Sequence, residues 1–191
     1  MQTVRGPLVG SSPYPYDFTW RRVHELDGSI GLVINLVAGT MLCMATLVLW
    51  LVLVPFKPVR IDYATLLVAT AFVLFFHEFA HAMAFSCGRA RGLRIECAWQ
   101  RYRPNLRYHG AVSRTHYLVV LAAPIVIVSL VPIVLSFALS LRSGYLVLIS
   151  LLNALVSGGD AIAAALVLLQ VPEHSYIERR GESVIWKPAA A

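Results

Sequence analysis

Charged residues are scarce in this sequence, and acidic residues are the scarcest. Asp, Glu, Lys and Arg make up 14% of the 191 residues, whereas an ordinary soluble domain has roughly a quarter. At the same time, 58% of the residues are hydrophobic. A soluble domain of this length cannot bury so much apolar surface, so the composition excludes that class and favours a membrane protein.

Cysteine is nearly absent as well. Cys43, Cys87 and Cys97 form no C-x-x-C pair, which excludes a disulfide framework. Cys43 lies in an apolar run and is expected to pack there as a small apolar residue. No apolar run is expected to be a cleaved signal peptide, because the first one follows a polar lead, is too long and ends at Pro55 without a cleavage site.

Four apolar runs each reach the roughly 20 residues that a helix needs to cross a bilayer: residues 30–56, 64–85, 116–141 and 145–171. They predict an all-α polytopic membrane protein with about four transmembrane helices, forming a single membrane-embedded domain over residues 1–191. The remaining segments are a lead (1–28), a loop between the second and third helices (87–115) and a tail (172–191).

The loop and the tail both contain strand-like patterns. Residues 93–99 (LRIECAW) and 106–112 (LRYHGAV) alternate between apolar and polar side chains, which predicts a small β-hairpin between helices two and three. In the tail, two short β-prone pieces flank Arg180 and Gly181. Pro124 and Pro132 lie in the third span, where we expect a bend and neighbouring groups that satisfy the freed carbonyls.

The net charge of +6 comes from residues that lie mainly on one side of the predicted bundle. With four spans, all the basic residues except Lys57, Arg60 and Arg142 belong to the lead, the loop or the tail. The positive-inside rule therefore predicts a multi-pass protein of the cell (inner) membrane with both termini in the cytoplasm. Contact with anionic lipid of the bilayer explains these cations, and no nucleic-acid partner is expected.

The second span contains the segment VLFFHEFAHAMAF (residues 73–85), in which three ionisable side chains interrupt an apolar run. His77 and His81 are four residues apart and therefore share one helix face, where their imidazoles can bind one zinc ion. In H-E-x-x-H sites the glutamate, here Glu78, takes a proton from the metal-bound water. The alternative is a pair of packed histidines with an interfacial glutamate, but ionisable residues inside a membrane usually mark a functional site.

Two histidines leave a tetrahedral zinc ion short of a protein ligand. Asp160 is the only acidic residue in the other three spans, and its predicted depth of ~15 Å is close to the ~8–14 Å of the histidines. It is therefore the candidate third ligand, although it could instead cap the half-helix that follows Gly158 and Gly159. Asn153, two turns earlier on the same face, is a candidate to contact substrate.

Other polar residues carry weaker signals. Cys87, His109 or His116 would indicate a closed, structural zinc site if one of them supplied a fourth ligand. Nothing in the sequence marks His24 or His174, and Asn35 in the first span is expected to form only an interhelical hydrogen bond.

Three motifs together resemble a known family: HEFAH, the proline-bearing LAAPIV, and NALVSGGD in the last span. Over residues 64–171 the chain resembles the site-two protease group of intramembrane zinc metalloproteases, and within it a bacterial family of small multi-span proteins described as putative zincin peptidases. The resemblance implies zinc ligation by His77, His81 and Asp160, with Glu78 as general base and Asn153 assisting in the active site. The aspartate follows two glycines here, whereas the best-known members have an L-D-G segment.

The sequence therefore predicts a zinc-dependent intramembrane endopeptidase with one zinc ion per chain. Its substrates would be membrane proteins or membrane-associated peptides, and the hairpin would either pair with an extended substrate or only cap the bundle. The alternative is a non-catalytic zinc-binding scaffold, or a pseudoprotease that binds helices without cutting them.

Overall fold

The computed structural model of the protein describes residues 20–24, 28–57, 60–87, 94–100, 103–180 and 183–189. Most of them are helical, in six α-helices: α1 (Gly28–Leu53), α2 (Tyr63–Ser86), α3 (Arg114–Pro124), α4 (Val131–Ala138), α5 (Gly144–Val156) and α6 (Gly158–Gln170). A π-helical turn, Ile125–Leu130, joins α3 to α4, so that Arg114–Ala138 runs as one span. Where Pro124 was expected to bend the span, the structure has a π-turn that begins directly after the proline.

Within the described residues, three helices are long and apolar enough to cross a membrane: α1, α2 and the continuous α3–α4 segment. The pair α5 and α6 qualifies only if both halves count as one span, and the two halves meet at an angle of 44°. The four predicted runs therefore correspond to four helical units with bounds that differ by a few residues. The fourth is bent at Ser157, where glycines were expected to weaken it.

In the described part of the chain, six strands accompany the helices: β1 (Arg21–Arg22), β2 (Arg94–Gln100), β3 (Arg103–His109), β4 (Val112–Ser113), β5 (Ser175–Arg180) and β6 (Ser183–Pro188). The predicted hairpin between helices two and three is confirmed, because β2 and β3 pair antiparallel. The tail also forms its two predicted strands, β5 and β6.

A second sheet makes the all-α prediction incomplete. It is antiparallel, with the order β1-β6-β5-β4. Two of its four strands, β1 and β4, are only two residues long, which is too short for a pattern of alternation to appear in the sequence. Pairing with the longer tail strands, rather than local preference, makes these segments extended.

This sheet brings together three distant parts of the chain at one end of the helices. β1 precedes α1, β4 precedes α3, and β5 and β6 follow α6. Its apolar side chains pack against the helix ends in one buried cluster: Val23, Val112, Ile177 and Trp186 from the strand segments, with Phe85, Tyr117, Val120, Val167 and Val171. The described strands of the lead, the loop and the tail therefore lie at the same end of the helices.

The outer faces of the helices are apolar. Leu32 on α1 is 71% exposed, Leu67 on α2 is 72% exposed and Leu169 on α6 is 83% exposed. Soluble proteins rarely leave large apolar side chains uncovered over a continuous surface, because the cost grows with the exposed area. These surfaces fit contact with lipid.

Candidate metal centre

The two histidines of the HEFAH segment share the inner face of α2. His77 and His81 are only 6% and 8% exposed, and their ring centroids lie 4.9 Å apart with the ring planes nearly perpendicular. Ala80, between them on the same face, packs against Ala123 and Val128 of the third span. The i, i+4 spacing thus places both imidazoles in the interior of the bundle, as predicted.

Asp160 reaches both imidazoles from α6. Nε2 of His77 lies 3.3 Å from Oδ2 of Asp160, and Nε2 of His81 lies 3.4 Å from Oδ1. The predicted meeting of the second and fourth spans is therefore present. Asp160 is the third residue of α6 rather than the residue before it, and its Oδ2 accepts no hydrogen bond. That oxygen consequently does not cap the helix.

The bend between α5 and α6 positions Asp160, and α1 packs against that bend. A Cβ atom added to Gly158 would lie 2.7 Å from Cα of Gly39 and would also overlap the carbonyl oxygen of Asn35. A Cβ on Gly39 would overlap the carbonyl oxygen of Leu155. The two backbones approach so closely that only glycine fits at both positions.

Gly159 has a different environment, because a Cβ added there would meet no atom within 4 Å. Of the two consecutive glycines in the last span, the first is therefore required by packing and the second is not. Asn35 contributes its main-chain carbonyl at this contact, whereas its side chain was expected to form the interhelical hydrogen bond.

The Nδ1 atom of each imidazole faces away from Asp160 and has its own partner. His81 Nδ1 lies 2.8 Å from the carbonyl oxygen of Val120, and His77 Nδ1 lies 3.1 Å from Oδ1 of Asn153. A carbonyl can only accept a hydrogen bond, so Nδ1 of His81 carries the proton. The Nε2 atom of a neutral His81 then presents its lone pair to Asp160.

Asn153 is completely buried, and its amide is fully engaged. Its Nδ2 donates to the carbonyl oxygen of Pro124 and to Oγ of Ser129, both at 2.9 Å. Because Pro124 offers only an acceptor, this contact fixes which end of the amide carries nitrogen. Oδ1 of Asn153 must then accept from His77 Nδ1, and Nε2 of a neutral His77 presents its lone pair as well.

In their neutral forms, with the proton on Nδ1, His77 and His81 direct two nitrogen lone pairs toward the carboxylate of Asp160. One ligand atom from each of His77, His81 and Asp160 fits within a group in which all atoms lie within 4.8 Å of one another. Facing lone pairs and a carboxylate repel unless a proton or a metal ion lies between them, and the buried Oδ2 of Asp160 accepts no hydrogen bond.

Zinc fits this donor set. Neighbouring ligands of a tetrahedral zinc ion are separated by about 3.3–3.4 Å when the bonds are about 2.0–2.1 Å long. Each imidazole is at that separation from one oxygen of Asp160. The Nδ1 contacts supply the second layer of hydrogen bonds that usually orients zinc-binding histidines.

Glu78 lies beside this group but is not part of it. One residue of α-helix turns the side chain by about 100°, so Glu78 points along the edge of the inner face. It is half-buried and has no hydrogen bond or ion pair to another side chain in the described part of the chain. Its carboxylate is therefore next to the histidine pair in the sequence but outside the group of possible ligands.

No fourth protein ligand joins the three among the residues that the structure describes. Cys87 is exposed, and the ring of His116 lies against Phe85, with ring centroids 6.4 Å apart. The side chain of His109 lies outside the described residues, and so does most of the lead. His24 interacts through its main chain, which exchanges two hydrogen bonds with the side chain of Gln170.

Several contributors to the site were missed by the sequence analysis. The Val120 carbonyl, Ser129 and Gly39 carry no motif, and only the contacts between helices identify them. A main-chain carbonyl is present at every residue, so its identity gives no signal. For Gly39, the signal available was a single glycine in an apolar helix, which often marks a close approach.

Comparison with known proteins gives one family. The sequence profile of the family described as "Putative zincin peptidase" matches residues 70–176, which is more than half of the chain and includes His77, His81, Asn153 and Asp160. No curated protein and no solved structure matches the chain significantly. With the zinc-compatible histidine pair and the carboxylate at its centre, the chain belongs to the family of zincin-like peptidases that this profile describes.

Proposed function

We propose that the protein is a zinc-dependent intramembrane endopeptidase of the HExxH type, related to the site-two proteases. His77, His81 and Asp160 would hold one zinc ion, and Glu78 would be the general base. The observation that carries the proposal is that one possible ligand atom from each of His77, His81 and Asp160 lies within 4.8 Å of the other two. Membership of a zincin-like peptidase family supports it independently.

The residues divide the chemical work between them. When bound, zinc supplies a Lewis acid that polarises a peptide carbonyl and acidifies water. Glu78 accepts the proton of the attacking water and delivers it to the departing amine nitrogen. Its side chain is half-buried and has no ion pair among the described residues, which is compatible with this role.

For Asn153 we propose a positioning role in place of the direct role on substrate that the sequence predicted. Both hydrogens of its amide nitrogen are donated, to Pro124 and to Ser129. An oxyanion would have to displace one of them. Its carbonyl oxygen is also engaged, with His77. The contacts that it already makes orient a metal ligand.

Membrane insertion is part of the proposal. Three apolar helices, or four with the bent pair, and their exposed apolar faces support a multi-pass protein. The sheet that joins the lead, the loop and the tail supports their location on one side, and the positive-inside rule makes that side the cytoplasm. Substrates would then be membrane proteins or membrane-associated peptides.

The hairpin is a candidate for substrate contact. β2 pairs with β3 only, among the strands described, so its other edge is available to an extended chain. A transmembrane helix must unwind before its peptide bonds can be cut, and edge pairing would stabilise the unwound form. The alternative, a hairpin that only covers the bundle, predicts that an edge substitution leaves cleavage unchanged.

The competing function is a zinc-binding scaffold without catalysis. Structural zinc sites usually have four protein ligands, whereas catalytic sites keep a position for water. Three ligands among the described residues, with a free glutamate next to them, favour catalysis.

The deciding experiment compares wild type with Glu78→Gln on a panel of single-span substrates, with zinc content measured for both. Retained zinc with cleavage abolished supports the endopeptidase, because the amide cannot accept the proton. Retained zinc with no cleavage by either protein across the panel supports the scaffold. Zinc absent from the wild type overturns both.

A further inference from the structure

Pro124 lies next to both of the contacts that orient the histidines, although it touches neither imidazole. The carbonyl of Val120, four residues before it, accepts from His81 Nδ1 at 2.8 Å. The carbonyl of Pro124 itself accepts from Asn153 Nδ2 at 2.9 Å, and Asn153 Oδ1 in turn accepts from His77. Pro124 is therefore linked, through its own carbonyl and through the carbonyl of Val120, to the hydrogen bonds of both His77 and His81.

The proline explains why the Val120 carbonyl is available. In an α-helix the N–H of residue i donates to the carbonyl of residue i−4, and residue 124 is the donor that corresponds to Val120. Proline has no N–H, so the helix of the third span cannot satisfy this carbonyl itself. In a buried, apolar setting an unsatisfied carbonyl is costly, and the Nδ1–H of His81 is the group that satisfies it.

The π-turn that follows Pro124 supplies a second contact to Asn153, through Ser129. Within it the N–H of Val131 donates to the carbonyl of Val126, five residues back. The additional residue in the turn rotates later side chains by about 100° compared with a regular α-helix. Ser129 lies in this turn, completely buried; it accepts from Asn153 and donates to the carbonyl of Ser150 at 2.9 Å.

We propose that Pro124 is a positioning residue of the metal centre, which fixes both imidazoles in the tautomer that has the proton on Nδ1. It does so by leaving the Val120 carbonyl to His81 and by holding the Asn153 amide in the orientation that receives His77. Both Nε2 lone pairs then point to the ion. The inference rests on the ligand set of the proposed function but does not require that the protein cleave peptides.

The test replaces Pro124 by alanine, which restores a main-chain N–H four residues after Val120. That N–H competes with His81 for the carbonyl, so the Nδ1–H tautomer of His81 should lose population. We expect the change in the ¹⁵N signals of the neutral imidazole of His81 in metal-free protein. The zinc dissociation constant, measured by chelator competition, should rise about tenfold, as for loss of an outer hydrogen-bond partner.

Pro132→Ala is the matched control. Pro132 lies in the same span, also lacks an N–H, and makes none of the contacts that orient His77, His81 or Asn153 among the described residues. It should leave both the tautomer and the zinc affinity unchanged. Equal effects of the two substitutions would show that a general distortion of the span, rather than the Val120 carbonyl, is responsible, and would overturn the proposal.

A second variant separates the missing N–H from the shape of the ring. The α-hydroxy analogue of alanine at position 124 makes an ester bond, which has neither the ring nor an N–H. It should keep the wild-type tautomer and affinity; an ester variant that behaves like Pro124→Ala overturns the inference. If Pro124→Ala does not fold, the ester variant decides alone.

The readouts also distinguish this inference from the proposed function. Absence of peptidase activity affects neither measurement. If the wild type binds no zinc, the tautomer of His81 in the metal-free protein still tests Pro124, while the zinc proposal fails by itself. A wild-type His81 with the proton on Nε2 would overturn the inference whatever the metal content.

Discussion

His77 and Asp160 lie in different helical spans, and Nε2 of His77 is 3.3 Å from Oδ2 of Asp160. This contact joins the HEFAH segment to the last helical span and completes the group of three possible ligands. It exists because α6 begins at a bend, and because α1 packs tightly against that bend through Gly39 and Gly158. The ligand set therefore depends on three spans, although the ligands come from two.

Asp160→Ala should remove most of the bound zinc, because it deletes the only carboxylate in the group. The loss of affinity should exceed the roughly 10–100-fold that an outer-shell substitution costs. Chelator competition on the purified variant measures it. Unchanged zinc content would exclude Asp160 as a ligand.

Gly158→Ala should destabilise the protein and lower zinc affinity, because the new methyl group would collide with the backbone of α1. Overpacking of this kind costs about 1–3 kcal/mol. Gly159→Ala is the control, since a Cβ there meets nothing within 4 Å. Thermal unfolding in detergent compares the two, and equal melting temperatures would contradict the close contact between α1 and the bend.

Asn153→Ala separates a positioning role from a role on substrate. If Asn153 orients His77 through the 3.1 Å contact, its loss should weaken zinc binding by roughly 10–100-fold. Measured with saturating zinc, kcat should recover at least in part. Normal zinc affinity combined with a low kcat would instead indicate the direct role in catalysis that the sequence predicted.

Ser129→Ala removes the hydroxyl that accepts from Asn153, so it should also weaken zinc binding, by about tenfold. Ser136→Ala provides the comparison, because Ser136 is equally buried in the same span and its hydroxyl has no hydrogen-bond partner among the described residues. Each of the two variants loses one hydroxyl oxygen, the Oγ of a buried serine. Equal zinc affinities would show that the network around Asn153 does not reach the metal.

Much of this organisation could be predicted because it is local. The four-residue spacing of His77 and His81 determines a shared helix face, and the lengths of the apolar runs determine the spans. Asp160 was identified because it is the only carboxylate in the other apolar runs. The strands of the tail could be predicted because two short β-prone pieces flank Arg180 and Gly181 in the sequence.

The remaining features depend on which helices and strands contact each other. The spacing of apolar and polar residues along one sequence does not show these contacts. The two-residue strand β1 is extended because β6 pairs with it. Gly39 matters because α1 meets the bend, and the Val120 carbonyl matters because Pro124 frees it and His81 is opposite. The proline itself is visible in the sequence, and the carbonyl four residues before it could have been marked in advance.

X-ray absorption at the zinc edge of the purified protein tests the central claim most directly. The account predicts one zinc ion per chain, with two imidazole nitrogens at about 2.0–2.1 Å, carboxylate oxygen at about 2.0–2.2 Å and no sulfur ligand. The imidazole signal should fall in His77→Ala and in His81→Ala. A zinc-free protein, or a sulfur ligand at about 2.3 Å, would contradict a site built from His77, His81 and Asp160.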